Sequence, residues 1–359
     1  MTKKDLALER IHRNGLISPF PSTELCVRSL GGIQSQVQQF AELAILNRCS
    51  GAPTTKELDK AYHGHRFINL WGQRKTLHMY TAEDWDIICD VYHDKTYIQN
   101  EVSKHSDYFT EIIAQVQSMT SSGKLIERTH MDELVKACAP ESLLENSFLT
   151  YMVQGYLCAN GVLFGIPAKP SIRRFACFSA LDRSQWEWNE ERRATSLEEM
   201  MLRYFQHYGP ATIQDFSHWS GLSIMVFREV FERIQPKLTA VTIDKRTYYT
   251  FGSVEIKLTR KLSLLGKFDP LFVSYRHKDW IATPGQQKQI WRNAGHVEAV
   301  ILDGAKLLGT WRHTLKSDKM FICVEPLASI SQGAKERIEA KAKRLARFWD
   351  KELESITYK

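Results

Sequence analysis

The 359 residues exceed what one small core requires, so two or three domains are expected, and 43% hydrophobic with 25% charged residues describes a folded globular chain rather than a disordered one. No apolar run is long enough to span a bilayer, and the charged segment from Met1 to Arg10 lacks the apolar centre of a signal peptide, so a cytoplasmic protein with no membrane partner is expected. The formal charge of +7 favours polyanionic partners without choosing one.

In chain order, Lys4 to Asn14 reads as a short helix carrying Leu6, Leu8 and Ile11. Ser22 is an N-cap ahead of Leu25, Val27 and Leu30, and Gly31-Gly32 interrupts. A helix from Val37 to Arg48 and another from Thr55 to Tyr62 follow, and Phe67 to Tyr80 is extended about Gly72. Short helices followed by a small hairpin form the winged-helix plan. The plan recurs: helices at Met131 to Ala139 and Leu143 to Tyr156 precede strands at 161–165 and 173–178, across a proline-rich loop at 167–170.

A third cycle has the strongest pattern. Leu197 to Tyr208 is helical and Gly209-Pro210 ends it. Thr212 caps a short helix to Trp219, Gly221 turns the chain, and Ile224 to Ile234 is the candidate recognition helix. Thr239 to Ile243 and Thr247 to Phe251 alternate around Asp244-Lys245-Arg246 as a wing, which makes Lys245 and Arg246 candidates for the DNA backbone. A winged helix also serves as a protein-interaction module, so this pattern alone leaves both partners open.

Beyond residue 260 strands are expected at Leu271 to Tyr275, Trp280 to Thr283, Val297 to Leu302, Lys306 to Trp311 and Met320 to Val324, with Asp303-Gly304 as a two-residue hairpin turn. Five short strands suggest a small β-barrel or sandwich. A last helix, Ala334 to Leu353, places Ile338, Ala342, Leu345 and Trp349 on one face and basic residues on the other. Seven cysteines, at positions 26, 49, 89, 138, 158, 177 and 323, form no CxxC pair, which argues against a disulfide framework or a zinc site. No metal or organic cofactor is expected.

Several stretches, taken in order, carry a resemblance: Leu30-Gly31-Gly32-Ile33-Gln34-Ser35-Gln36, Arg74-Lys75-Thr76-Leu77-His78, Tyr208-Gly209-Pro210-Ala211-Thr212 with Asp215-Phe216, Trp219-Ser220-Gly221-Leu222, Phe268-Asp269-Pro270 and Gly309-Thr310-Trp311-Arg312. Together they resemble the winged-helix DNA glycosylase superfamily of the AlkZ/YcaQ type, over residues 30–312. The resemblance implies an α+β fold: three tandem winged-helix modules around a concave DNA channel, then a small C-terminal β-barrel and a terminal helix. The corresponding boundaries are 1–100, 101–190, 191–260 and 261–359. It also implies monofunctional glycosylase chemistry at a Gln-hydrophobic-Gln (or Gln-hydrophobic-Asp) motif, placed at Gln34-Ser35-Gln36 by the preceding Gly-Gly-Ile. Ser35 departs from the hydrophobic middle position, whereas Gln36-Val37-Gln38 keeps it but loses the glycine anchor.

Side chains at i and i+2 share a face in an extended chain and diverge on a helix. With glycines favouring irregular backbone at 31–36, both carboxamides can converge on one water. A carboxamide is a poor base but offers an acceptor oxygen and two donors. That suits a cationic N-alkylpurine, whose glycosidic bond needs only a positioned water and dipoles that favour the developing sugar cation. The alternative is that Gln34, Gln36, Gln38 and Gln39 are the polar face of a helix start. Arg74 and Lys75 are candidate phosphate contacts, and His78 is either a strand residue or a third such contact. Asp269 is expected to order a turn, and Trp311 to sit in the core. No spacing indicates a lysine nucleophile. The expected partner is duplex DNA bearing alkylated bases, with interstrand crosslinks as a further substrate class, bound by a monomer in the nucleoid. A DNA-binding protein without catalysis and a protein-interaction module are the rival readings.

Overall fold

The computed structural model describes residues 1–93, 99–120, 123–169, 171–181 and 186–359. It opens with α1 (Lys3–Arg13), α2 (Thr23–Ser29), β1 (Ile33–Gln34), α3 (Gln38–Arg48), α4 (Thr55–His63), β2 (Phe67–Trp71), β3 (Leu77–Thr81) and α5 (Trp85–Tyr92). Next come α6 (Gln99–Lys104), α7 (Ser106–Thr120), β4 (Ile126–Glu127), α8 (Arg128–Cys138), α9 (Glu141–Leu144), α10 (Leu149–Ala159), β5 (Leu163–Ile166) and β6 (Arg174–Cys177). Of the proline-rich loop, Pro170 lies outside the described residues.

Local chemistry fixes these elements. The side chains of Thr2, Ser22 and Thr54 each accept from the backbone N–H three residues on, and Asp5 and Glu57 return the bond to Thr2 and Thr54. The expected helix from Leu143 to Tyr156 is instead two helices. Asn146 Oδ1 accepts from the Phe148 N–H, offering the backbone an alternative to helix between Glu145 and Phe148.

The first two hairpins, β2–β3 and β5–β6, do not stay separate. They join through Asn69 and Gly165 into one six-stranded sheet of order β1-β3-β2-β5-β6-β4. Pairing the two edges removes rows of unsatisfied backbone groups from each hairpin.

The third cycle follows the sequence closely: α11 (Glu190–His207), α12 (Ile213–Ser220), α13 (Ile224–Ile234), β7 (Thr239–Ile243) and β8 (Arg246–Thr250). Thr212 and Asp215 form a reciprocal cap on α12, and Gly221 ends it at φ +77°. Asp244 and Lys245, both at positive φ, make the tight turn of the wing.

The C-terminal region departs from expectation. It comprises β9 (Leu262–Leu265), α14 (Pro270–Val273), α15 (Pro284–Ile290), β10 (Val300–Asp303), β11 (Lys306–Lys316), β12 (Lys319–Pro326), α16 (Gln332–Phe348) and β13 (Glu352–Tyr358). The strand expected at Leu271 to Tyr275 is helix, because Asp269 accepts from the Leu271 N–H and Pro270 occupies the first helical position. Trp280 to Thr283 is no strand either. Ala282 bonds back to the Lys278 carbonyl and Thr283 caps α15. The expected barrel is replaced by a five-stranded sheet of order β13-β12-β11-β10-β9, with no closing pair between its ends among the described residues. The last helix stops at Phe348. Asp350 at φ +54° reverses the chain, and β13 joins β12 in parallel.

One continuous apolar core runs through the chain, from Leu6 to Trp349. At its centre Arg48 and Asp269, both buried, form a two-pronged ion pair of 2.6 and 3.0 Å, and Asn14 takes further guanidinium hydrogens. Among the described residues no helix is long and apolar enough to cross a membrane.

Candidate active site

The Gly31-Gly32 pair is required where it stands. Both residues have positive φ, and a Cβ would approach the Trp219 ring to 2.9 Å at Gly31 and the Tyr80 ring to 2.3 Å at Gly32. The chain then enters β1, where Ile33 pairs with Met79 and Gln34 with His78. The Ser35 N–H continues the ladder to the Leu77 carbonyl at 2.9 Å. The ladder holds the chain extended through Ser35, and the chain bends at Gln36.

Gln34 and Gln36 fall on one side. Gln34 Nε2 donates to Gln36 Oε1 at 2.7 Å. Ser35 falls on the other, fully buried, with its hydroxyl on Asn69 Oδ1 at 3.1 Å. A polar residue is accommodated at this inward position because β2 supplies its partner. Gln38 does not join the pair. It opens α3, buried, with Nε2 on the Tyr62 hydroxyl at 3.1 Å and against Met79 Sδ. The geometry thus unites positions 34 and 36 and ties position 38 into the core.

Arg74 sits in the β2–β3 turn at φ +54°. Its guanidinium forks: Nη2 donates to Gln34 Oε1 at 2.8 Å and Nη1 to the Trp219 carbonyl at 2.9 Å. A chain of donors therefore runs Arg74 to Gln34 to Gln36, and it bolts the motif to the end of α12. Gln73 supports the same turn. It donates to the Gly31 carbonyl at 2.5 Å and accepts from the Tyr80 hydroxyl. Arg74 was expected on a phosphate; in this structure its fork is occupied within the protein.

His78 lies directly across from Gln34, buried, with Nδ1 on the Thr76 carbonyl at 2.9 Å. Burial, reinforced by the Arg74 charge, pushes its pKa down to about 3, so the ring is neutral near pH 7. A neutral, enclosed imidazole is a strut of β3 and offers no cation to a phosphate. Lys75 is half-buried beside the turn, and that partial burial lowers its pKa. Lys245 and Arg246 stand on the separate β7–β8 wing, with Lys245 exposed at its tip.

Gln36 also opens onto a cleft of about 170 Å³, lined by Trp71, Tyr151, Gln154 and Phe175 and with Arg128 at its rim. None of these side chains was singled out from the sequence. Gln154 had a legible signal, as the one amide inside the otherwise apolar run of α10. The others had none, since an aromatic residue in a strand or helix is ordinarily core. Arg128 is a surface arginine, one of many. Among the described residues no group of three or more His, Cys, Asp or Glu side chains is placed to hold a metal ion.

This arrangement meets three comparisons with known proteins. The family model described as DNA glycosylase AlkZ-like matches residues 27–348. A curated Streptomyces sahachiroi protein, an interstrand DNA cross-link repair glycosylase, is 23% identical over 320 residues, covering 81% of this chain and 82% of its own length. The solved structure of the S. sahachiroi DNA glycosylase AlkZ superposes with a TM-score of 0.79 at 20% identity, covering the whole of both chains. With the family model spanning most of its length, the chain belongs to the AlkZ-like DNA glycosylase family.

Proposed function

We propose that this protein is a monofunctional glycosylase that hydrolyses the N-glycosidic bond of cationic N-alkylpurines in duplex DNA, with Gln34 and Gln36 as its catalytic pair. The observation that carries this is the fixed register of the two carboxamides, 2.7 Å apart on one face and anchored by Arg74. In that register Gln36 Oε1 has one lone pair on Gln34 and a second for a water hydrogen. The water oxygen is then turned toward the anomeric carbon. As the C–N bond lengthens, the alkylpurine leaves neutral and the sugar becomes positive. The carboxamide oxygens favour that charge, and the water completes the displacement, its C–O bond replacing the C–N bond and its second proton passing to solvent. No strong base is needed, because the leaving group already carries its positive charge. An unmodified base leaves far more slowly, which gives selectivity from substrate chemistry.

Duplex binding falls to basic side chains outside the pair. Lys75, Lys245 and Arg246 are our candidates for phosphate contact, while Arg74 is assigned to positioning Gln34. We place the protein as a monomer at nucleoid DNA. Crosslinked purines form a second substrate class under this reading, as the activity named for the S. sahachiroi relative suggests.

The test is single-turnover excision from duplex containing N7-methylguanine, followed by alkaline cleavage at abasic sites. Gln34→Ala and Gln36→Ala are each expected to slow excision by roughly 10²-fold, in line with loss of one positioned polar group. The two losses should not add, because both act on one water. Wild-type rates in both variants would remove the pair from the mechanism.

A further inference from the structure

Two side chains that line the cleft beside Gln36 carry buried donors without an acceptor among the described residues. Trp71 is 6% exposed and Gln154 is 4% exposed, yet Trp71 Nε1 and Gln154 Nε2 lack hydrogen-bond partners among the described residues. Buried polar atoms are rarely left so, and an exception calls for an explanation. Here they come from different elements, β2 and α10, and meet at one cavity. At Gly155 a Cβ would sit 3.4 Å from Trp71 Cγ, ordinary contact distance, so α10 lies close against the indole.

The walls are aromatic. Trp71 and Tyr151 meet edge to face at 5.3 Å between ring centres, and Phe175 adds a third ring. Such walls suit a flat π-system, and they favour one that is positively charged. The volume, about 170 Å³, lies below the roughly 300 Å³ at which drug-sized pockets begin, so it suits a ring system and not a whole nucleotide. Arg128, exposed at the rim, stands where a flanking phosphate would lie.

We propose that this cleft receives the target purine, extruded from the stack, and that Trp71 Nε1–H and the Gln154 carboxamide donate to the acceptor edge of the base. This rests on the glycosylase reading above and supplies its specificity: a purine bearing acceptors on the edge turned into the cleft fits, and one lacking them leaves two donors stranded. Gln36, at the same cavity, then stands near the bond that breaks.

The probe is free 7-methylguanine, the product base, with binding to the full chain followed by saturation-transfer NMR and excision by single turnover. Trp71→Phe keeps an aromatic ring while removing the donor together with part of the indole wall. Gln154→Leu removes the amide at similar volume. Each should weaken 7-methylguanine binding by about tenfold, the ordinary effect of one neutral hydrogen bond, and raise the enzyme concentration giving half-maximal excision. Gln154→Leu should at the same time raise Tm, because it removes a buried unsatisfied group. A merely structural glutamine would lower Tm when replaced. Should Trp71→Phe fail to fold, Gln154→Leu carries the test alone.

The proposal is overturned if the folded wild type binds no 7-methylguanine, or if both variants bind and excise as wild type. The outcomes separate the two readings. Excision lost in Gln34→Ala with base binding retained supports both. Base binding lost in the cleft variants of a wild type that excises nothing supports the cleft and sinks the chemistry. Intact excision in the cleft variants sinks the cleft and leaves the chemistry standing.

Discussion

Replacing Arg74 separates positioning from phosphate contact. Arg74→Met keeps the length of the side chain and removes its donors, and Arg74→Lys keeps the charge but cannot fork between Trp219 and Gln34. Both replacements keep a side chain at φ +54°, so neither adds backbone strain of a new kind. The structure gives the magnitude. Two charge-assisted bonds are lost, 2.8 Å to Gln34 Oε1 and 2.9 Å to the Trp219 carbonyl. Each is worth roughly 1.5–3 kcal/mol. The Trp219 bond holds the turn against α12, so its loss appears as a lower Tm. The Gln34 bond fixes the carboxamide proposed as catalytic, so on that reading its loss appears in the chemical step, as a roughly 10- to 150-fold slower single-turnover rate. Arg74→Lys recovers one bond at most. The assay is excision at saturating enzyme, with Kd for the duplex measured separately across a salt series. A positioning arginine leaves Kd and the salt slope unchanged. If Arg74→Met instead weakens binding, lowers the salt slope by about one and excises at the wild-type rate once saturated, Arg74 is a phosphate contact and the donor chain is irrelevant.

Four further outcomes are expected. Gln38→Ala should lower Tm, since it strips the Tyr62 hydroxyl and Met79 of a buried partner, while excision by the folded fraction stays near wild type; a chemical defect there with stability intact would move the motif by two residues. Asp269→Ala should cost about 3–5 kcal/mol in urea unfolding, because Arg48 is left charged and buried without its carboxylate; a loss under about 1 kcal/mol would show that Asn14 suffices. Burial holds His78 at about 3 and His207 at about 4, against 6.5 for a free imidazole, so the unfolded chain takes up protons that the folded chain refuses. Their contribution is therefore full above pH 6.5 and fades as pH falls toward 4; His78→Gln should flatten unfolding free energy against pH in that window, and an unchanged slope would count against a buried neutral ring. Duplex affinity should fall steeply with salt, and Lys245→Ala and Arg246→Ala should each lower the slope by about one; unchanged slopes would take the wing off the DNA.

Much of this protein was legible along the chain. Elements read from capping and hydrophobic period stand where expected when their causes are local. Ser22 caps α2, Thr212 and Asp215 cap α12, Gly221 stops it, and α13 runs from Ile224 to Ile234. The glutamine motif was placed by its resemblance to the family motif, anchored by the preceding Gly-Gly-Ile, and both glycines do adopt positive φ. What failed was partly local, as where Asn146 splits the helix expected from Leu143, and partly a matter of contacts distant in sequence. Leu271 to Tyr275 has strand composition, but the Asp269-Pro270 cap turns it into α14, and the Asp269 carboxylate is itself held by Arg48, 221 residues away. The β2–β5 pairing that joins two hairpins into one sheet, and the parallel strand β13, are choices of partner that no local pattern encodes.

The site divides in the same way. That Gln34 and Gln36 would share a face was expected from the family motif and from i, i+2 alternation, and their side chains do meet; their catalytic role is the proposal above. The rest belongs to the tertiary fold. Ser35 reads as a departure until Asn69 is seen to satisfy it, and Gln38 reads as a rival until Tyr62 is seen to hold it. Arg74 reads as a surface cation until the end of α12 closes over its turn and its two hydrogen bonds point inward. Beyond the lone amide of Gln154 in α10, the cleft has no sequence signature, because a cavity is set by how β2 and α10 approach each other, and that distance is decided by the packing of the whole core.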